Sequence, residues 1–235
     1  MNRTRDEFAG AGSRTRNSPL TRAEVLAAAL EIIDDGGVDR LSMRRLGRAL
    51  GCDPMALYRQ AASKSAVLDG VVEVMLGQLT VDISDPDWRH QLRLIARDFR
   101  RIAVGHPNAV PLLVTHPLAT PLGLRPLGTL RPLERILSLL TKADFTGADA
   151  LHIYRALFGF LYGHVLTELQ EIVEHPEEST DLLRLGLYRL PIGEFPLLRG
   201  LASDLADYDG VGELERGLDI LLTGLAITTP PASKT

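Results

Sequence analysis

The sequence predicts an all-α fold in two helical parts. Three observations carry this expectation. Apolar residues recur at three- and four-residue spacing through most of the chain. No strand-like alternation lasts more than a few residues. Several periodic stretches open on Thr or Ser, whose side chains cap helix N-termini. The parts are read as an arm at 1–18, a three-helix unit at 19–66, a larger helical domain at 67–228 and a tail at 229–235.

Taken in order, Thr21 is the N-cap of a first helix running to about Asp35, and Glu24 three residues on completes a capping box. Leu26, Leu30 and Ile33 mark its apolar face, and Gly36 and Gly37 end it. Ser42 caps a second helix with Met43, Leu46 and Leu50 on one side. Gly51-Cys52-Asp53-Pro54 forms a tight turn, with Pro54 fitting the first turn of a short third helix to Gln60. Ser63 caps a fourth helix from Lys64 to about Leu79, whose Leu68, Val71, Val72, Met75 and Leu79 share a face. Gly70 and Gly77 each weaken it by about 1 kcal/mol relative to alanine.

Two helices joined by a short Gly-containing turn are the plan of a helix-turn-helix, whose second helix enters the DNA major groove. The string from Leu41 to Gly70 goes further and resembles the DNA-binding domain of the TetR family of bacterial transcriptional regulators. The residues that carry the likeness are Leu46, Leu50, Gly51, Leu57, Tyr58, Lys64 and Leu68. Gln60 stands where many members have His, and Ala61 where Phe or Val is common. The resemblance implies that Tyr58 touches a phosphate and that Pro54, Met55, Ala56, Arg59 and Gln60 lie near base edges. Pro, Met and Ala cannot make bidentate base hydrogen bonds, so Met55 and Ala56 are expected to touch thymine methyls, and Arg59 or Gln60 to read guanine or adenine. Lys64, at a helix start with free backbone N–H groups, is expected to clamp a phosphate. Arg44, taken as a DNA contact, sits with Arg45 and Arg48 on what is either a backbone-contacting or a merely solvated face.

The charge distribution agrees. The net charge is −4, but residues 1–65 hold 11 Lys and Arg against 8 Asp and Glu, giving +3, whereas residues 66–235 hold 15 against 22, giving −7. The basic part coincides with the helix-turn-helix, as phosphate contact requires. The asymmetry is mild, which favours two DNA-binding heads over one. No apolar run approaches the roughly 18 residues of a membrane span, and the start lacks the apolar core of a secretory signal. A single cysteine, Cys52, excludes an intrachain disulfide and fits a reducing cytoplasm. A redox-sensing role has no resolving thiol, which leaves Cys52 as a small residue filling a turn.

The second part continues as helices: about Asp85 to Val104 with Leu92, Ile95 and Phe99 on one stripe, then a Pro- and Gly-rich stretch from Pro107 to Pro132 that cannot be one long helix, then about Leu130 to Lys142. Asp149 to about Glu174 is long and apolar nearly all round, which implies burial on two sides. A last helix, about Val211 to Ala226, follows a separating sequence read as polar. Two long helices with surplus apolar surface suggest a dimer through a four-helix arrangement from two chains. Phe160, Leu214, Leu218, Leu221, Leu222 and Leu225 are its expected interface residues. The alternative is that both helices pack only within one chain.

This part resembles the sensor domain of the tetracycline-repressor subgroup, through Trp88, Arg93, Arg97, Phe99, His106-Pro107, Leu133-Glu134 and Asp149-Ala150-Leu151. Aligned on Trp88 and on Ala150-Leu151, Phe99 matches an aromatic pocket position. Ile95 and Ile136 replace polar ligand contacts, and Leu112 replaces the metal-binding His. The resemblance therefore implies an apolar organic ligand and no metal. The expected pocket residues are Ile95, Phe99, His116, Ile136, Leu151, Tyr154, Arg155 and Phe158, with Tyr154 and Arg155 fixing orientation. His164 and Glu168, four apart on a helix, lack a third ligand at fixed spacing, so a zinc site is not expected. No phosphate-binding loop, nucleophile elbow or dinucleotide fingerprint is present, and no cofactor is expected.

These observations converge on a cytoplasmic, non-enzymatic, homodimeric transcriptional regulator. Its expected partners are a palindromic double-stranded DNA operator, a small-molecule effector and a second copy of itself. A repressor released by its ligand is the leading form. A ligand-dependent activator is the alternative, and a helical-bundle enzyme lacks any acid/base or nucleophile set.

Overall fold

A computed structural model describes residues 20–115, 122–173 and 180–228. The proposed arm and tail, and His116, lie outside the described residues. Within them every regular element is helical, twelve α-helices with three short 3₁₀ turns.

The capping chemistry forms as the sequence dictates. α1 is Arg22–Asp34: Glu24 N donates to Thr21 Oγ1 at 3.3 Å and Thr21 N to Glu24 Oε2 at 2.8 Å, closing the capping box. The chain leaves through Gly37 at φ +84°, and a 3₁₀ turn at Val38–Arg40 leads to α2, Met43–Ala49, capped by Ser42. α2 ends in a Schellman motif: Gly51 sits at φ +59°, its N–H bonds Arg48 O at 3.1 Å and Cys52 N–H bonds Gly47 O at 3.1 Å. α3, Pro54–Gln60, is capped by Asp53 Oδ1 on Met55 N at 2.7 Å, and α4, Lys64–Leu76, by Ser63. Leu46, Leu57 and Ala61 are buried beneath α2 and α3. Gly70 does more than weaken α4: a Cβ there would overlap the Leu26 side chain, so glycine is what lets α1 and α4 approach closely.

α5 is Trp88–Gly105, followed by a 3₁₀ turn at Pro107–Ala109 and α6, Val110–Thr115. α7, Leu127–Lys142, begins three residues before the expected Leu130 and runs through buried Pro132. A proline lacks the N–H that would bond the carbonyl four residues back, here that of Gly128. α8 is Gly147–Val173 and α12 is Gly210–Thr228. Trp88 meets Phe145 edge-on with centroids 5.0 Å apart, fastening the start of α5 to the turn between α7 and α8.

The separator between α8 and α12 is not simply polar, as the sequence reading had it. It holds α9 (Thr180–Tyr188), α10 (Pro196–Gly200) and α11 (Ala202–Ala206), which pack on one another and leave Leu182, Leu185, Ile192 and Leu197 exposed.

A buried ionic cluster joins three helices. Arg100 on α5 forks onto Glu168 of α8, its Nε 2.9 Å from Oε2 and its Nη2 on Oε1. Glu168 is 2% exposed and lies against Gly210, the first residue of α12, where a Cβ would strike its carboxylate. His164 Nε2 is 3.4 Å from Glu168 Oε2, and burial pushes the imidazole below its ordinary pKa. Two further pairs tie α5 to α12: Arg93 to Asp219 at 2.5 Å and Arg97 to Glu215 at 2.6 Å.

Candidate nucleic-acid interface and ligand pocket

The turn between α2 and α3 holds α3 against α2 through buried Leu57, and so fixes which side of α3 faces outward. Met55 is 70% exposed, and Tyr58 and Arg59 are exposed on the same short helix. Ala56 and Gln60 are half-buried, and Pro54 is the first residue of the helix. A methionine this exposed gains nothing from burial in the folded chain, which is consistent with a surface that meets another molecule.

The nearby cations divide into two kinds. Arg40 and Arg45 both pair with Asp35, at 3.3 and 3.1 Å, and so buttress the fold. Arg44, Arg48 and Arg59 are exposed and, among the described residues, bond no carboxylate. Lys64 differs from the sequence reading. Its Nζ donates to Val38 O at 3.3 Å in a half-buried setting, so it pins the start of α4 to the turn before α2.

In the second domain the expected pocket residues largely gather. Phe99 of α5 and Phe158 of α8 meet edge-on with centroids 5.7 Å apart, and Tyr154 lies over Phe158 at 4.6 Å. Ile95, Phe99, Ile136 and Phe158 are buried, while Leu151 and Tyr154 are half-buried. Arg155 is the correction. It is exposed, whereas the ring cluster beside it is buried or half-buried.

Two members of this cluster were not anticipated. Tyr162 lies 5.6 Å from Phe99 and 5.8 Å from Phe158, ring to ring. It follows Tyr154 and Phe158 at four-residue steps, a spacing the sequence displays. Arg125 is the other: burial raises the pKa of both phenols, and the Arg125 charge opposes that rise at each. Nothing in its Pro-rich surroundings signals that location. Arg125, in the chain before α7, is thus a cation whose charge acts on both phenols.

The dimer residues also need correction. Leu214, Leu218, Leu222 and Leu225 are buried within the single chain, and Gly217 lets the half-buried Phe160 ring lie directly on α12. Leu221 is half-buried. The periodicity marked the inward face. Among the described side chains, the large apolar ones left outside on α8 and α12 are Leu166, Val211 and Ile220, the last 78% exposed.

Comparison with known proteins agrees with this geometry. Residues 25–71 match the family described as bacterial regulatory proteins, tetR family, and residues 82–229 match the tetracyclin repressor-like C-terminal domain. The chain belongs to the TetR family of transcriptional regulators. An HTH-type transcriptional regulator of Saccharopolyspora erythraea is 30% identical over 92% of this chain and 89% of its own. The HTH-type transcriptional repressor DrrR1 of Streptomyces coeruleorubidus is 25% identical over 92% of this chain and 80% of its own. The TetR family protein ActR of Streptomyces coelicolor, solved in complex with actinorhodin, superposes with a TM-score of 0.74 at 27% identity, covering 91% of this chain and all of that one. The regulator is therefore an all-α, DNA-binding transcriptional regulator with an N-terminal helix-turn-helix. The family is not one of enzymes, and among the described residues no helix is long and apolar enough to cross a membrane.

Proposed function

We propose that this regulator is a repressor that binds a palindromic operator as a homodimer and leaves it when a small, largely apolar aromatic molecule enters the second domain. The observation that carries the ligand class is the stack of Phe99, Tyr154, Phe158 and Tyr162 with Arg125 beside its two phenols. Aromatic walls supply affinity by burial, at about 25 cal/mol per Å² of apolar surface, and phenols with one cation suffice to orient a ligand. Ile95, Leu112 and Ile136 are buried apolar side chains, which supports binding without a metal. The tetracycline repressors and DrrR1 are repressors by name, and ActR was crystallised with actinorhodin and with (S)-DNPA.

The DNA-reading head is α1–α3, and the division falls within α4, which packs on α1 and also on α6 and α7. A second bridge runs from the end of α5: His106 Nδ1 is 2.9 Å from Asp34 Oδ2, and Asn108 Nδ2 donates to Asp34 O at 2.7 Å, both at the C-terminus of α1. A ligand that shifts α5 or α8 thus pulls on the head by two routes. The shift in operator affinity equals its differential affinity for the two arrangements, typically about 1–3 kcal/mol.

The dimer reading rests on the outward side of α8 and α12. Leu166, Val211 and Ile220 are exposed, and nothing fills the space beside exposed Gly159 and Gly163, four residues apart on α8. Open glycines allow a second helix close approach. Two heads then address half-sites about 34–36 Å apart or a multiple of that.

A thermal-shift screen of aromatic acids and hydrophobic antibiotics, with and without magnesium, tests the ligand class. A hit should stabilise the wild type without metal and release DNA, and should lose its effect in Phe158→Ala while that variant still binds DNA. A strict magnesium requirement would overturn the reading.

A further inference from the structure

A cleft separate from the aromatic cluster lies between the C-terminal half of α4 and the N-terminal half of α7. Its volume is about 240 Å³. Leu76, Leu79 and Pro132 are its apolar lining, and Glu73, Arg131 and Arg135 line it as well. That volume is below the roughly 300–1,000 Å³ of pockets for drug-sized ligands, so the occupant is small.

The charges do not balance within the cleft. Glu73 is already engaged: Arg22 of α1 donates to its Oε2 at 3.1 Å, and its stem lies on Gly128, where a Cβ would overlap it. Arg131 and Arg135 are one turn apart on α7, both exposed, and among the described residues neither bonds a carboxylate. Like charges four apart on a helix repel, so the pair is unfavourable alone and favourable once an anion lies between. Guanidinium groups suit this task because their planar forks match carboxylate oxygens two at a time.

We propose that the α4–α7 cleft is a second effector site, for a small organic carboxylate whose acid group meets Arg131 and Arg135 and whose apolar part rests on Leu76, Leu79 and Pro132. The site touches α4 beside the Glu73–Arg22 bridge, the ion pair that joins α4 to α1 of the DNA-reading head. Occupancy there biases the same helix that the aromatic pocket is argued to move, and by linkage DNA and the acid alter each other's affinity by one common factor.

Benzoate and its neutral isostere benzamide are the probes, titrated calorimetrically at fixed ionic strength into the full chain. Benzoate should bind saturably in the millimolar range or tighter, and benzamide about tenfold more weakly or not at all, as loss of charge-assisted bonds requires. Arg131→Gln and Arg135→Gln, both surface changes on an intact helix, should each weaken benzoate by about tenfold. Arg189→Gln, an exposed arginine that does not line the cleft, should leave it unchanged. No saturable binding, equal binding by the arginine variants, or an equal loss in Arg189→Gln would each overturn the proposal. Saturating benzoate should also change affinity for a selected operator by about fivefold or more, and an unchanged affinity would refute the coupling. The binding arms need no DNA, so they stand or fall independently of the repressor reading.

Discussion

Replacing Arg100 by methionine isolates the most exposed-to-test element of the core. Glu168 is 2% exposed, and its two oxygens take both arms of the Arg100 fork. Methionine keeps much of the arginine stem's volume and removes the charge. The carboxylate then keeps His164 as its near neighbour, whose imidazole burial disfavours charging. Breaking one side of a buried ion pair costs about 3–5 kcal/mol. The Arg100 side chain is 23% exposed, so water reaches part of the vacated space and the lower end, about 3 kcal/mol, is expected. That is a large share of a typical total stability of about 5–15 kcal/mol. Urea unfolding at neutral pH and fixed protein concentration, followed by circular dichroism, should show the midpoint falling by about 1 M or more, given m-values of about 1–3 kcal/mol per M. The pair of changes Arg100→Met and Glu168→Met should recover most of the loss, because removing both charges leaves no unpaired ion. A loss below about 1 kcal/mol for Arg100→Met alone would refute the reasoning, since it is the size of a solvated surface pair.

Three further outcomes follow from the same geometry. Gly70→Ala should destabilise the DNA-reading head, by about 1–3 kcal/mol as overpacked cores do, although alanine favours helix; a gain in thermal midpoint would contradict the close α1–α4 approach. Ile220→Glu should give folded monomers in sedimentation, whereas Leu218→Glu, which buries an unpaired carboxylate within one chain, should unfold the protein; a folded dimer for Ile220→Glu would remove the proposed interface. Burial lowers the His164 pKa in the folded state, so the unfolded chain binds that proton more readily. The histidine's contribution is full above the ordinary value of 6.5 and is lost as pH falls below it, and wild type should lose more stability than His164→Gln over that window.

What the sequence made legible was local. Thr21 with Glu24, Ser42, Ser63 and Gly51 each act within four residues, so their caps and turns form as the spacing demands. Helix periodicity located Leu214, Leu218 and Leu222 on one face but could not say whether the covering surface belongs to the same chain, and here it does. The same limit let α9–α11 pass as a polar separator, since short helices bear too few turns to display a period. Arg155 failed for a simpler reason: adjacency in sequence to Tyr154 did not bury it, and the charge that acts on both phenols is that of Arg125, distant in sequence.

On the proposed reading α3 presents Tyr58 and Arg59 to DNA, and salt-titrated anisotropy on a duplex recovered by selection from randomised DNA measures this. Expected are a palindromic selected site, binding that weakens as salt rises, a uniform loss across sequences for Tyr58→Phe, and relaxed preference at particular bases for Arg59→Ala, worth about 1–3 kcal/mol at each. Wild-type affinity and specificity in both variants would contradict it.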